Sequence, residues 1–396
     1  MHTPADKIDM NTSVAQQKLT RLVQYLKSDP DNDTLRAEVF DTALQCAALD
    51  EARFQLQHAL HLQPRHPAWL HRRALLALRE NLPQEAQQVL EGLIAEGNTA
   101  AGIRFNLGYA FFMQGQWERA ASVVESLRGP VSQQMDRTVV EQAWALWLRC
   151  QHHLRELTEA LQIFSTASLN GSVGADSFGV ASLIAFDAQQ MERADSWSER
   201  ALREQPQQQE ALVTRASLAL AEQDSGAAYA FLQRALQSNP DDGRAWSAIA
   251  FCHLLKRDYI SARHAFGRAI KAMAGHIGTW IGLGWCEFAN GQAWAAYAAF
   301  QRALELDPNF AESHGGLAVA LIRMEQVERA KVEINVALRL DRNSLSARYA
   351  QAMLNGDADD PAKLMRLSRR LLAQYPAPGI SHGEKTLADV VLRDIS

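Results

Sequence analysis

Long apolar runs are missing from this sequence. No stretch reaches the roughly 18–20 apolar residues that a membrane-spanning helix needs, and the polar segment Met1–Ser13 has no apolar centre of the kind a secretory signal carries. The expectation is a cytoplasmic protein with no membrane insertion. Cysteine is scarce: Cys46, Cys150, Cys252 and Cys286 lie far apart with no C-x-x-C pair. That argues against a disulfide framework or a zinc site. Neither sign of charge dominates, since 40 Lys and Arg face 45 Asp and Glu for a net charge of −5, so nothing global recommends nucleic acid as a partner.

Catalytic signatures are missing too. There is no G-x-x-x-x-G-K-[ST], G-x-S-x-G or H-E-x-x-H. His58 with His61, and the adjacent His152 and His153, have no carboxylate or thiolate at ligand spacing and read as surface histidines. Asn170-Gly171-Ser172-Val173-Gly174 has two glycines but follows a helix rather than a strand. Asp241-Asp242 and Asp359-Asp360 fall at turns or helix starts, where the helix dipole favours them. The expectation is a protein that is not an enzyme and carries no catalytic residue, metal or cofactor.

What is present is periodic. Hydrophobic residues make up 47% of the 396 and β-branched runs are nearly absent, which favours helix throughout. Pro30 and Pro64 lie 34 residues apart, as do Pro206 and Pro240, and Pro308 and Pro376 follow at intervals of 68. From Pro64 to Pro206 the gap is 142, four periods and six residues. A 34-residue repeat therefore runs through the chain with one insertion, near Gly129-Pro130-Val131-Ser132-Gln133-Gln134. A unit starting at Ile277 supplies Trp280, Leu283, Gly284, Ala296, Phe300, Ala303 and Pro308; one starting at Gly243 supplies Trp246, Ile249, Ala250, Ala262, Phe266 and Ala269.

These residues resemble the tetratricopeptide repeat, a helix-turn-helix unit of 34 residues. The resemblance covers about residues 33–378 in ten units, starting at 33, 67, 101, 141, 175, 209, 243, 277, 311 and 345. It implies an all-α, right-handed α-solenoid of about ten such units with extra helices at both ends. Small residues let the second helix approach the first, bulky ones fill the gaps, and stacking buries what no unit buries alone. The expected organisation is a disordered N-terminus (1–12), a capping half-repeat (13–32), units one to three (33–128), an insertion (129–140), units four to ten (141–378) and a C-terminal capping helix (379–396). In composition the chain is similar to bacterial members of the family.

The family's concave surface is formed chiefly by positions 2, 5, 6, 9, 12 and 13 of each first helix. Carried over, those positions give an apolar groove of Val180, Leu183, Phe186, Phe251, Leu254, Leu255, Ile281, Trp285, Phe288, Val319, Ile322 and Tyr349. Large exposed apolar surface marks an interaction site, so the groove is expected to take a protein or peptide, as an amphipathic helix. Phe251, Trp285, Phe288 and Ile322 would be its anchors, and Gly179, Gly282, Gly315 and Gly316 would let it approach the backbone. Occupation by the chain's own residues 384–396, or by a second copy in a homodimer, stays open. Nearer the N-terminus, His71, Arg72 and Arg79 form a basic concave patch suited to acidic residues.

The function expected from the resemblance is a non-catalytic scaffold, adaptor or chaperone. Alternatives are a regulatory or assembly subunit acting in trans on an enzyme complex, such as a glycosyltransferase or envelope or secretion machinery, and a peptide-sensing regulator.

Overall fold

The computed structural model describes residues 4–129, 136–169 and 173–360, with 363 and 366. The expected capping helix at 379–396, most of the insertion and the second half of the last unit lie outside the described residues. No strand occurs among the described residues. The chain is all-α and falls into two compact units, Met1–Val173 and Gly174–Ser396. The division lies inside the stretch 141–378 expected as one run.

The first unit opens with α1 (Pro4–Ser28), which takes in residues 4–12, where disorder was expected. That stretch has no glycine, and its only proline stands at the first helical position, where its missing N–H costs nothing. Four helix pairs follow: α2 (Asp33–Gln45) with α3 (Leu49–Leu62), α4 (Pro67–Arg79) with α5 (Pro83–Ala95), α6 (Ala101–Met113) with α7 (Trp117–Glu125), and α8 (Arg137–Leu154) with α9 (Leu157–Leu169). Helix α8 has 18 residues where α2, α4 and α6 each have 13, so part of the insertion lengthens its N-terminus.

The second unit continues with α10 (Ala175–Asp187) and α11 (Met191–Glu204), α12 (Gln209–Ala221) and α13 (Ser225–Ser238), α14 (Gly243–Leu255) and α15 (Tyr259–Ala272), α16 (Ile277–Ala289) and α17 (Ala293–Leu306), and α18 (Ala311–Arg323) and α19 (Val327–Leu340). Helix α20 (Leu345–Leu354) is followed by a short 3-10 turn, Asp357–Asp359. Each first helix packs on its own second helix and on the next first helix, as α10 does on α11 and α12. That is solenoid stacking.

The packing explains the repeat residue by residue. Ala194, Ala201, Ala228, Ala235, Ala262, Ala269, Ala296, Ala303, Ala330 and Ala337 are all fully buried. At these points two helices touch, and any larger side chain would push them apart. Phe164, Phe266 and Phe300 recur at the bulky position between them and are equally buried. Side-chain caps start several helices: Asn32 accepts from the Leu35 amide, Asp242 from Ala245 and Asp258 from Ser261.

The turn inside each pair carries a regularity the sequence does not advertise. Ala47, Asn81, Gly115, Arg155, Gln189, Gln223, Arg257, Gly291 and Glu325 all have left-handed backbone, with φ from 58° to 77°. The amide after each residue bonds back to a carbonyl five residues earlier, as Gln190 N does to Ala185 O at 2.8 Å. This is the αL termination that glycine usually occupies. Here only Gly115 and Gly291 are glycine.

Candidate functional site

In the second unit the expected groove residues divide into an open part and a filled part. The open part is a pocket of about 500 Å³ formed by α10, α12 and α14. Phe186, Val213, Leu220, Phe251 and Leu255 supply its apolar walls, with Ser217, Ser247 and Ala248 between them. Phe251 and Leu255 stand one helical turn apart on α14 and are 41% and 52% exposed, much for large apolar side chains. They remain uncovered because the facing side chains of α12 are small: Ser217 and Ala221 leave room that a second layer of leucines would fill.

One ion pair marks the pocket's edge. Arg244, near the start of α14, donates from both terminal nitrogens to the two carboxylate oxygens of Asp187 at the end of α10, at 3.3 and 2.9 Å. The fork-to-carboxylate geometry joins helices separated by the whole of α12 and neutralises both charges at the mouth. Beside it, Gln209 donates to Asp242 at 2.7 Å. His276 closes another side, its Nδ1 accepting from the Thr279 amide at the start of α16.

The filled part lies from α16 onward. Trp285 stands edge-on to Phe288, Phe300 and Tyr349, with ring centres 5.7, 5.8 and 5.8 Å apart. The Arg323 guanidinium lies 5.4 Å from the Phe288 ring centre. Ile281 and Ile322 pack against the same cluster, half-buried. Val180, Leu183 and Val319 are buried and Leu254 is half-buried, so they form floor rather than wall. These side chains satisfy one another.

The glycines expected to admit a partner helix have another role. A Cβ at Gly179 would meet the Gln208 amide group at 1.9 Å, one at Gly282 the Phe266 ring at 2.7 Å, one at Gly315 the Ala347 backbone nitrogen at 2.5 Å and one at Gly316 the Phe300 ring at 2.4 Å. Their missing side chains admit this chain's own neighbouring repeats, and that corrects the expectation.

In the first unit the basic patch is largely internally matched. Arg72 donates to both oxygens of Asp41 at 3.0 and 2.7 Å and lies 5.1 Å from the Trp69 ring centre. His71 sits 2.8 Å from the Asn106 amide nitrogen. Burial, and then the neighbouring Arg72 charge, holds its pKa below the ordinary value of 6.5. Arg79 is exposed and donates to the Leu44 carbonyl at 3.2 Å.

Sequence reasoning missed Val213, Ser217, Leu220 and Ala221, although they hold concave positions of the unit from 209. Asp187 and Arg244, at positions 13 and 2, were equally legible there. Met273 and His276 fall outside those positions, and only the fold brings them to the pocket. Burial raises the thiol pKa of Cys150 to about 12 and of Cys286 to about 11, as suits packing residues rather than nucleophiles. Among the described residues no group of three or more metal-ligating side chains converges, and no helix is long and apolar enough to cross a membrane.

Stacked helix pairs with an open concave face define a protein-interaction scaffold. Residues 287–354 match the tetratricopeptide repeat family model. With the same helix-pair phase recurring from Asp33 to Leu345, the chain is a tetratricopeptide-repeat protein. No curated protein matches it in sequence. Among solved structures, a tetratricopeptide repeat protein from Parabacteroides merdae is 17% identical, over 63% of this chain and 97% of that one, with a TM-score of 0.42. MamA is 15% identical over 40% and 87%, at 0.34. The O-GlcNAc transferase of Thermobaculum terrenum is 26% identical over 33% and 25%, at 0.30. Likenesses this loose carry no functional argument.

Proposed function

We propose that the protein is a non-catalytic scaffold whose second unit receives the apolar face of an amphipathic helix from a partner protein. The observation that carries this reading is the uncovered Phe251–Leu255 pair facing Phe186 and Leu220 across a pocket of about 500 Å³. Large apolar side chains exposed together at a concavity are the usual anchors of a helix-in-groove contact. Trp285, Phe288 and Tyr349 would act as a preformed wall beyond the pocket rather than as separate anchors. With Arg244 and Asp187 cancelling each other, the mouth favours an uncharged stripe on the partner. We place this activity in the cytoplasm.

The test compares partners retained by the wild type, by Phe251→Asp and by Ile260→Asp, each first shown by circular dichroism to fold. Ile260 is 81% exposed and does not line this pocket, so it controls for an added surface charge. A partner held by wild type and Ile260→Asp should bind Phe251→Asp about thirtyfold more weakly, the size of a central anchor's contribution. Equal retention by all three proteins removes the pocket from the recognition surface.

A further inference from the structure

The concave face of the first unit has a chemistry unlike that of the pocket. At the inward-facing repeat positions of α4, α6 and α8 there is no carboxylate, while Arg79, Arg149 and three histidines occupy them. The acidic residues at those positions on α2 are already matched: Asp41 holds Arg72, and Glu38 holds Lys18 at 2.9 Å. His71, with its depressed pKa, adds a hydrogen-bonding group there rather than a charge at neutral pH. Beyond its bond to the Leu44 carbonyl, Arg79 keeps guanidinium N–H groups available on an exposed side chain.

Beside this cationic edge lies an aromatic ledge. Trp117 and His153 stack with centres 4.1 Å apart and planes 7° from parallel. Phe112 meets both edge-on, at 5.1 and 5.6 Å. Tyr109 continues the ledge, its ring nearly parallel to Phe112 at 6.4 Å and its side chain 40% exposed. Repeat register places Arg79, Met113 and His153 at one level of three successive first helices, and Leu75, Tyr109 and Arg149 at the level above. The rings therefore sit between two arginine-bearing helices.

We infer that this face binds an acidic peptide segment carrying an aromatic residue. The aromatic side chain lies on the Tyr109–Phe112 ledge, where ring contacts reward it beyond simple burial, and the flanking carboxylates meet Arg79 and Arg149 through charge-assisted hydrogen bonds. Charge complementarity selects the occupant. A basic or uncharged segment would leave the cationic edge unmatched, and a long polyanion such as single-stranded nucleic acid would have to pass the acidic α2 edge of a chain whose net charge is −5. The inference does not depend on the pocket of the second unit.

The experiment uses the full chain and a fluorescein-labelled peptide of four glutamates around one tryptophan, followed by fluorescence anisotropy. Saturable binding is expected, weakening with added salt. Arg79→Glu should cost about tenfold or more in Kd, and Tyr109→Ser or alanine in place of the peptide's tryptophan should weaken binding further. Phe251→Asp should bind as wild type does. Because Arg79 also holds the end of α2, Arg79→Gln and a thermal melt accompany it, and Tyr109→Ser provides a variant outside the core. No saturable binding overturns the proposal. So does equal binding by a lysine version of the peptide, indifference to both Arg79→Glu and Tyr109→Ser, or tighter binding of oligouridylate than of the acidic peptide.

Discussion

Phe300 is the point where the repeat's packing can be tested most sharply. It is fully buried on α17, and two glycines from neighbouring first helices lie against the same edge of its ring. A Cβ at Gly316 would come within 2.4 Å of Cδ1 and Cε1, and one at Gly284 within 2.5 Å of Cε1. The ring cannot retreat from one glycine without approaching other packed atoms. Gly316→Ala therefore sets two effects against each other. Alanine is favoured over glycine inside a helix by about 1 kcal/mol, while overpacking a close-packed core costs about 1–3 kcal/mol. The expected net is a loss of about 0–2 kcal/mol, and shrinking the ring should turn the substitution favourable. In a cycle with Phe300→Leu, the double variant should be more stable than the sum of the singles by about 1–3 kcal/mol. Repeat arrays need not unfold in one step, so urea melts should be joined to hydrogen exchange of the α16–α18 amides. Gly316→Ala stabilising by a full 1 kcal/mol, or additive effects in the cycle, would refute the argument.

Three further outcomes are expected. The low pKa of His71 means that the unfolded chain takes up its proton more readily than the folded one. Stability should therefore fall as pH drops below the ordinary value of 6.5, and thermal melts from pH 8 to pH 5 should show a smaller drop for His71→Gln. Burial of Cys150, Cys252 and Cys286, each with a raised thiol pKa, leaves half-buried Cys46 as the reactive thiol; brief iodoacetamide treatment of the native protein followed by peptide mapping should find label chiefly there. Gln189→Gly relieves left-handed strain of about 1–2 kcal/mol against a glycine entropy cost of about 0.5–1 kcal/mol. It should raise stability slightly, and a lower melting temperature would count against the turn geometry.

The fold class was legible because the repeat writes the same contact many times. Alanines and large apolar residues spaced at 34 residues keep phase from Asp33 to Leu345, and helix propensity agrees with that pattern throughout. The left-handed turn was not legible: seven of its nine positions hold residues such as Gln189 and Glu325, whose side chains do not announce positive φ. There the backbone hydrogen bonds of the pair outweigh the local preference.

Register alone placed Phe186, Phe251, Leu255 and Trp285 on concave positions, because helical geometry fixes which positions share a face. Whether such a side chain is open or filled is a different matter, decided by volumes contributed from other helices. Phe251 stays exposed because Ser217 and Ala221 oppose it across the pocket, whereas Trp285 is covered by Phe288, Phe300 and Tyr349. Likewise, Arg72 reads as a free cation until the fold sets Asp41 beside it, 31 residues earlier in the chain. Periodicity along the chain determined the helices, their pairing and their faces. Only tertiary packing decided which parts of those faces remain for a partner, since occupancy depends on side chains that the sequence separates by one repeat or more.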